Sequence, residues 1–188
     1  MRTTTLAKIR AKYPCDHSWR TLLLGLGRSG PGDESLPYAR IFEINGFFDA
    51  LWAMRTEEDF RWVQKLAFEY CKHVQDLLVD LHPMGHPNKK SVALIDLSER
   101  HLAGQTTAEE LRAAQEKWVP GAAWCASLSF RAVTSTSADA VSDTIHELSH
   151  AAVAEAGERI RWRSIYDVFV ARDRERKWQE EEFLRVVS

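Results

Sequence analysis

Ser91 to Gln115, SVALIDLSERHLAGQTTAEELRAAQ, contains the end of one helix and the start of the next, and this turn decides how the flanking chain is arranged. Before Gly104, Val92, Ile95, Ser98/Glu99 and Leu102 recur three or four residues apart, so Val92, Leu94 or Ile95, and Leu102 can share one apolar stripe on a helix. Gly104 stands where a left-handed closing residue belongs. Thr107-Ala-Glu-Glu110 then reads as a capping box, the Thr107 hydroxyl accepting from the Glu110 amide while the Glu110 carboxylate reaches back. Helices joined by so short a turn must fold back or cross steeply, which predicts paired helices.

Working outward, Phe60, Val63, Leu66, Ala67, Tyr70, Val74, Leu77, Leu78 and Leu81 keep a helical period, which predicts a long helix over Thr56–Leu81, opened by Thr56-Glu-Glu-Asp59 and central to the core. HPMGHPNKK at 82–90 breaks it and is the candidate sub-boundary in a single domain spanning 1–188. Asn88 or Ser91 starts the next helix. Towards the N-terminus, a short helix over Thr3 to Lys12 is stopped by Pro14. A second, Trp19 to Leu26, is capped by Asp16 or Ser18, weakened by Gly25 and ended by Gly27. RSGPGDESLP at 28–37 is a loop, followed by short helices at Ala39–Asn45 and in FFDALWAMR.

After Pro120 the chain has no proline and is rich in helix formers. A single helix from Ala138 to Val187 would run about 75 Å, too long for a globule of this size, so breaks are placed at the hydroxyl run Thr134–Ser137 and near Gly157. No segment shows strand alternation bounded by turns. The fold class is therefore all-α, a bundle of about eight to ten helices in antiparallel pairs. Its core draws on Leu22, Leu23, Phe42, Trp52, Trp62, Val63, Leu66, Tyr70, Val74, Leu77, Ile95, Leu111, Trp118, Trp124, Phe130, Ile145, Leu148 and Trp162.

Net charge of −2 over 188 residues argues against nucleic-acid binding by bulk electrostatics. Three cysteines, far apart and without CxxC spacing, suggest neither a disulfide framework nor a thiolate zinc site. With no apolar signal region at the N-terminus and no long apolar run, the chain reads as cytoplasmic. Cys15, Asp16 and His17 are sequence neighbours, which by itself makes no catalytic dyad.

One motif names a chemistry. His146-Glu147-Leu148-Ser149-His150 matches H-E-x-x-H, in which two histidines one helical turn apart bind zinc and the glutamate activates metal-bound water. A zinc peptidase of this kind needs a third ligand. Glu175, Glu180, Glu181 or Glu182 would have to supply it, and all four lie in a charged run that reads as a solvated helix end. The alternative is that Val141, Ile145, Leu148 and Ala152 bury one face and leave His146, Glu147 and His150 as a solvated one, with no metal and no cofactor.

YPCDHSWRTLLLGLG, INGFFDALWAMR, the Ser91–Gln115 turn and RERKWQEEEFLRVV together resemble a group of helical toxin-immunity proteins of bacteria and bacteriophages. HELSH is not a motif of that group, and the group brings no catalytic residues. The resemblance implies a non-enzymatic inhibitor from a phage or mobile element that binds a prokaryotic effector protein, either a toxin or a host defence enzyme such as a CRISPR component. The acidic balance suits a basic, nucleic-acid-handling partner. Three acidic clusters are the candidate contacts: Glu57, Glu58 and Asp59; Glu109 and Glu110; and Glu180, Glu181 and Glu182.

Overall fold

A computed structural model describes residues 1–79, 89–118, 130–158 and 165–188. In chain order its helices are α1 (Leu6–Ala11), α2 (Asp16–Leu26), α3 (Tyr38–Asn45), α4 (Phe47–Ala53), α5 (Arg61–Val79), α6 (Lys89–Leu102), α7 (Ala108–Trp118), α8 (Ala138–Glu158) and α9 (Ile165–Val187). Residues 130–134 are also helical, and a 3-10 turn, Met54–Thr56, follows α4. The all-α class and the expected helix number hold. Of the break predicted at 82–90, residues 82–88 lie outside the described residues and Lys89 and Lys90 already belong to α6; the core positions Trp124 and Trp162, and the side chains of Val74, Leu77 and Trp118, also lie outside them.

The turn between α6 and α7 forms as its residues dictate. Gly104 takes φ +74°, a conformation that costs glycine little. Beyond it, the Glu110 amide donates to Thr107 Oγ1 at 3.2 Å and the Thr107 amide to Glu110 Oε2 at 2.8 Å, so both halves of the capping box are made. The face that α6 buries differs from the predicted stripe. Leu94, Leu97 and Ser98 are buried while Val92 is 42 % exposed and Ile95 half-buried. Periodicity allowed either face, and Leu94 and Leu97 win because they meet Leu111, Ala114 and Phe130 in a separate apolar cluster. Ser98 enters this face at little cost because its hydroxyl donates to the Leu94 carbonyl at 2.7 Å.

Helix starts were the other source of differences. Thr5 caps α1, accepting from the Lys8 amide, and α2 begins at Asp16 with Cys15 as its cap, where Asp16 or Ser18 was expected. Thr56 does not open α5. It is buried in the 3-10 turn, its hydroxyl bonded to the Ala53 carbonyl at 2.8 Å and to Thr4 Oγ1 at 2.6 Å, and the helix starts at Arg61. Thr3–Thr4 and Leu36–Pro37 pair as a two-residue antiparallel ladder, with Thr3 opposite Pro37 and Thr4 opposite Leu36. No strand was expected, because two residues are too few to show alternation. The Arg2 amide also donates to the Val187 carbonyl at 2.7 Å, tying the start of the chain to the end of α9.

The main core joins α1 to α5, α8 and α9 through Leu22, Tyr38, Ile41, Leu51, Val63, Leu66, Ile145, Leu148 and Phe183. α5 lies within it as predicted, but α8 makes the most extensive contacts, packing against α5, α9, α4 and the 3-10 turn. Leu23, Phe42 and Trp52 are half-buried at its margin. Gly25 lets α2 lie close against α3, since a Cβ there would collide with Cγ2 of Ile44.

Leu66 is 1 % exposed, so Leu66→Ala is expected to destabilise the fold by about 2–5 kcal/mol in urea denaturation. Gly25→Ala should cost about 1–3 kcal/mol by overpacking, despite alanine's better helix propensity. A gain in stability at position 25 would mean that Ile44 moves aside freely.

Candidate functional site

The H-E-x-x-H residues ride on the outer face of α8. Val141, Ile145 and Leu148 point into the core, which leaves His146, Glu147 and His150 exposed, as the solvated-face reading expects. The two imidazoles stand edge to face with ring centroids 4.6 Å apart. Phe48 from α4 stacks on His150 at 4.7 Å and meets the edge of His146 at 5.0 Å. The Arg176 guanidinium from α9 lies 4.4 Å above the other partner in this cluster, the Phe48 ring. The Glu147 carboxylate accepts from Arg131 Nη2 at 2.6 Å. Among the described residues no group of three His, Cys, Asp or Glu side chains could hold a metal ion; the motif offers two imidazoles, and its glutamate is already in an ion pair. Burial, and secondarily the neighbouring His150, hold the His146 imidazole below its ordinary pKa.

Glu175, one of the candidate third ligands, is not on a solvated helix end. It is 5 % exposed, its Oε2 paired with His73 Nε2 at 2.8 Å and its Oε1 accepting from Gln179 Nε2 at 2.9 Å. His73 in turn stacks on Trp178 with centroids 3.6 Å apart. The density of charge in this run conceals a helical period, in which Glu175, Gln179 and Phe183 fall on one buried stripe.

The acidic clusters are only partly free to meet a partner. Glu57 accepts from the Tyr38 hydroxyl at 2.5 Å and from Trp62 Nε1 at 3.0 Å, and burial together with this carboxylate raises the Tyr38 phenol well above its ordinary pKa. Glu58 is exposed and pairs with Lys8 at 2.9 Å, and Asp59 is exposed beside it. Glu110 closes the capping box while Glu109 faces outward. On α9, Glu181 pairs with Lys177 and Glu182 with Arg185, and Glu180 is half-buried.

Glu58 and Asp59 border a groove of about 760 Å³, between the start of α5, the α6–α7 pair and residues 130–136. Phe60, Leu111, Phe130 and Val133 supply its apolar lining. His101 also lines it, and its Nδ1 is buried with no hydrogen-bond partner. Neither His101 nor the apolar lining was identifiable from sequence spacing, because the residues come from three separate segments.

Cys15, at the start of α2, is exposed. Its thiol donates to Ser18 Oγ at 3.1 Å and its sulfur accepts from the Ser18 amide at 3.4 Å. These Ser18 contacts lower the thiol pKa from its ordinary value. His17 is exposed and makes no dyad with it.

Comparison with protein families, curated proteins and solved structures finds no match to this chain. Among the described residues no helix is long and apolar enough to cross a membrane.

Two titrations check this geometry. In NMR the His146 midpoint should lie below 6.5, and Phe48→Ala should raise it by hydrating the ring. Because the fold favours neutral His146, its contribution to stability is present above pH 6.5 and is lost as pH falls towards the lowered midpoint. The pH profile of Cys15 alkylation should have its midpoint below 9.0, and Ser18→Ala should shift it upward.

Proposed function

We propose that this chain is a non-enzymatic, protein-binding inhibitor of the immunity or anti-CRISPR-like kind carried by phages and mobile elements. Its target in this reading is a prokaryotic toxin or defence effector. The observation that carries the reading is the groove bordered by Glu58 and Asp59. A partner segment inserted there would bury apolar side chains against Phe60, Leu111 and Phe130, and could satisfy the buried Nδ1 of His101. Lysine or arginine of a nucleic-acid-handling partner would meet the two exposed carboxylates, which speeds association and selects against acidic surfaces. The sequence resemblance to toxin-immunity proteins supports the same class of partner.

Affinity capture with the full chain from bacterial lysate, followed by mass spectrometry and reconstitution with the purified partner, tests the proposal. Glu58→Lys combined with Asp59→Lys should weaken binding and flatten its salt dependence, whereas Glu109→Lys should leave both unchanged. Unaltered affinity in the double variant would remove the groove from the interface. Failure to recover any stoichiometric partner would remove the binding function itself.

A further inference from the structure

His146 and His150 stand one turn apart on the exposed face of α8, the spacing at which two imidazoles can grip one ion. Their ring centroids are 4.6 Å apart. An ion bonded to one nitrogen of each ring at about 2.0–2.1 Å holds the ring centres roughly 4.5–5 Å apart, so the pair needs little adjustment to chelate. Phe48 lies nearly parallel to His150, at 6° between planes, and against the edge of His146. Imidazole nitrogens bond in the plane of their ring, so a ring stacked on the face of His150 does not block them. The neighbouring carboxylates are already engaged, Asp143 with Arg55 and Glu147 with Arg131. The Arg176 guanidinium over Phe48 adds positive charge to the cluster. Nitrogen donors beside engaged carboxylates and a cation disfavour magnesium and calcium, which need oxygen ligands, and retain only ions that bond imidazole strongly. We propose that His146 and His150 form a two-imidazole site for one divalent ion of the nickel, copper and zinc class, with water in the remaining coordination positions. Glu147 stays with Arg131 and activates no metal-bound water, so the site holds an ion without peptidase chemistry. It shares no residue with the protein-binding groove and does not depend on it.

Nickel(II) serves as the probe, because it is paramagnetic and does not oxidise the exposed Cys15 thiol, with magnesium(II) as the oxygen-seeking counterpart. The full chain is titrated by calorimetry at about pH 7.5, above the ordinary imidazole pKa, and the ion is located by paramagnetic broadening in NMR. The tightest site should take one equivalent of nickel and broaden the His146, His150 and Phe48 signals first, while magnesium gives no binding heat. His146→Ala and His150→Ala each leave a single imidazole and should each weaken nickel by about tenfold or more. Both side chains are exposed, so truncation spares the core, which circular dichroism verifies. His17→Ala, at an exposed histidine of α2, and Glu147→Gln should leave nickel affinity unchanged. Undiminished affinity in either α8 histidine variant, an equal loss in Glu147→Gln, broadening centred on other histidines, or no binding below millimolar nickel would each overturn the proposal.

Discussion

The structure depends on one buried amide. Gln179 of α9 is 1 % exposed, and its Nε2 donates to the Ser149 carbonyl of α8 at 3.2 Å and to Glu175 Oε1 at 2.9 Å. The main-chain carbonyl of Gln179 accepts from the Tyr70 hydroxyl of α5 at 2.6 Å, while its side-chain Oε1 is buried without a partner. A polar group that is removed from water and left unpaired is costly, so sliding α9 by one turn against either neighbour would break these bonds at a loss that apolar packing does not replace. Apolar contacts tolerate several registers; this network tolerates one. The pairing of His73 with Glu175 extends it to the protein surface, where Trp178 covers the imidazole.

Once α9 and α5 are placed on α8, the remaining surface follows. α8 turns Val141, Ile145 and Leu148 inward, and the opposite positions, His146, Glu147 and His150, can only face out. A metallopeptidase motif thus coincides with the outer face of an amphipathic helix, where Phe48 and Arg176 cover part of the imidazole pair. The short N-terminal helices are held differently, by the Thr3–Thr4 ladder, the close approach at Gly25 and the Tyr38–Thr56–Thr4 hydroxyl chain. Their crossing leaves a small cavity near Asn45, while the junction of α5 with the smaller Leu94–Leu111–Phe130 cluster leaves the groove. Both concavities sit where short elements meet long ones and side chains alone cannot close the gap.

Local signals were read correctly where the physics is local. The Gly104 turn, the Thr107–Glu110 box and the break at Ser135–Ser137, with Ser137 accepting from the Ala140 amide at 3.3 Å, each involve residues a few positions apart. The apolar stripe of α5 from Val63 to Tyr70 is legible for the same reason, since a helix repeats its face regardless of what it packs against. Of the candidate site residues, His146, Glu147 and His150 were assigned to the exposed face correctly, but Glu57 was read as free surface although Tyr38 and Trp62 claim both of its oxygens.

The amino-acid sequence by itself determined the helical class, the principal turns and the inner face of α8, because glycine backbone freedom, capping and helical periodicity act within one or two turns of chain. Tertiary structure alone decided that Leu94 and Leu97 rather than Val92 face inward, that Glu175 is buried, that Thr56 closes a 3-10 turn instead of opening a helix, and that Asn45 Oδ1 and His101 Nδ1 are left without partners. Each of these turns on whether a residue distant in sequence supplies a hydrogen bond or an apolar surface at the right place. Such a partner carries no mark in the local pattern, since the same glutamate, threonine or histidine is equally stable in water until the fold removes the water.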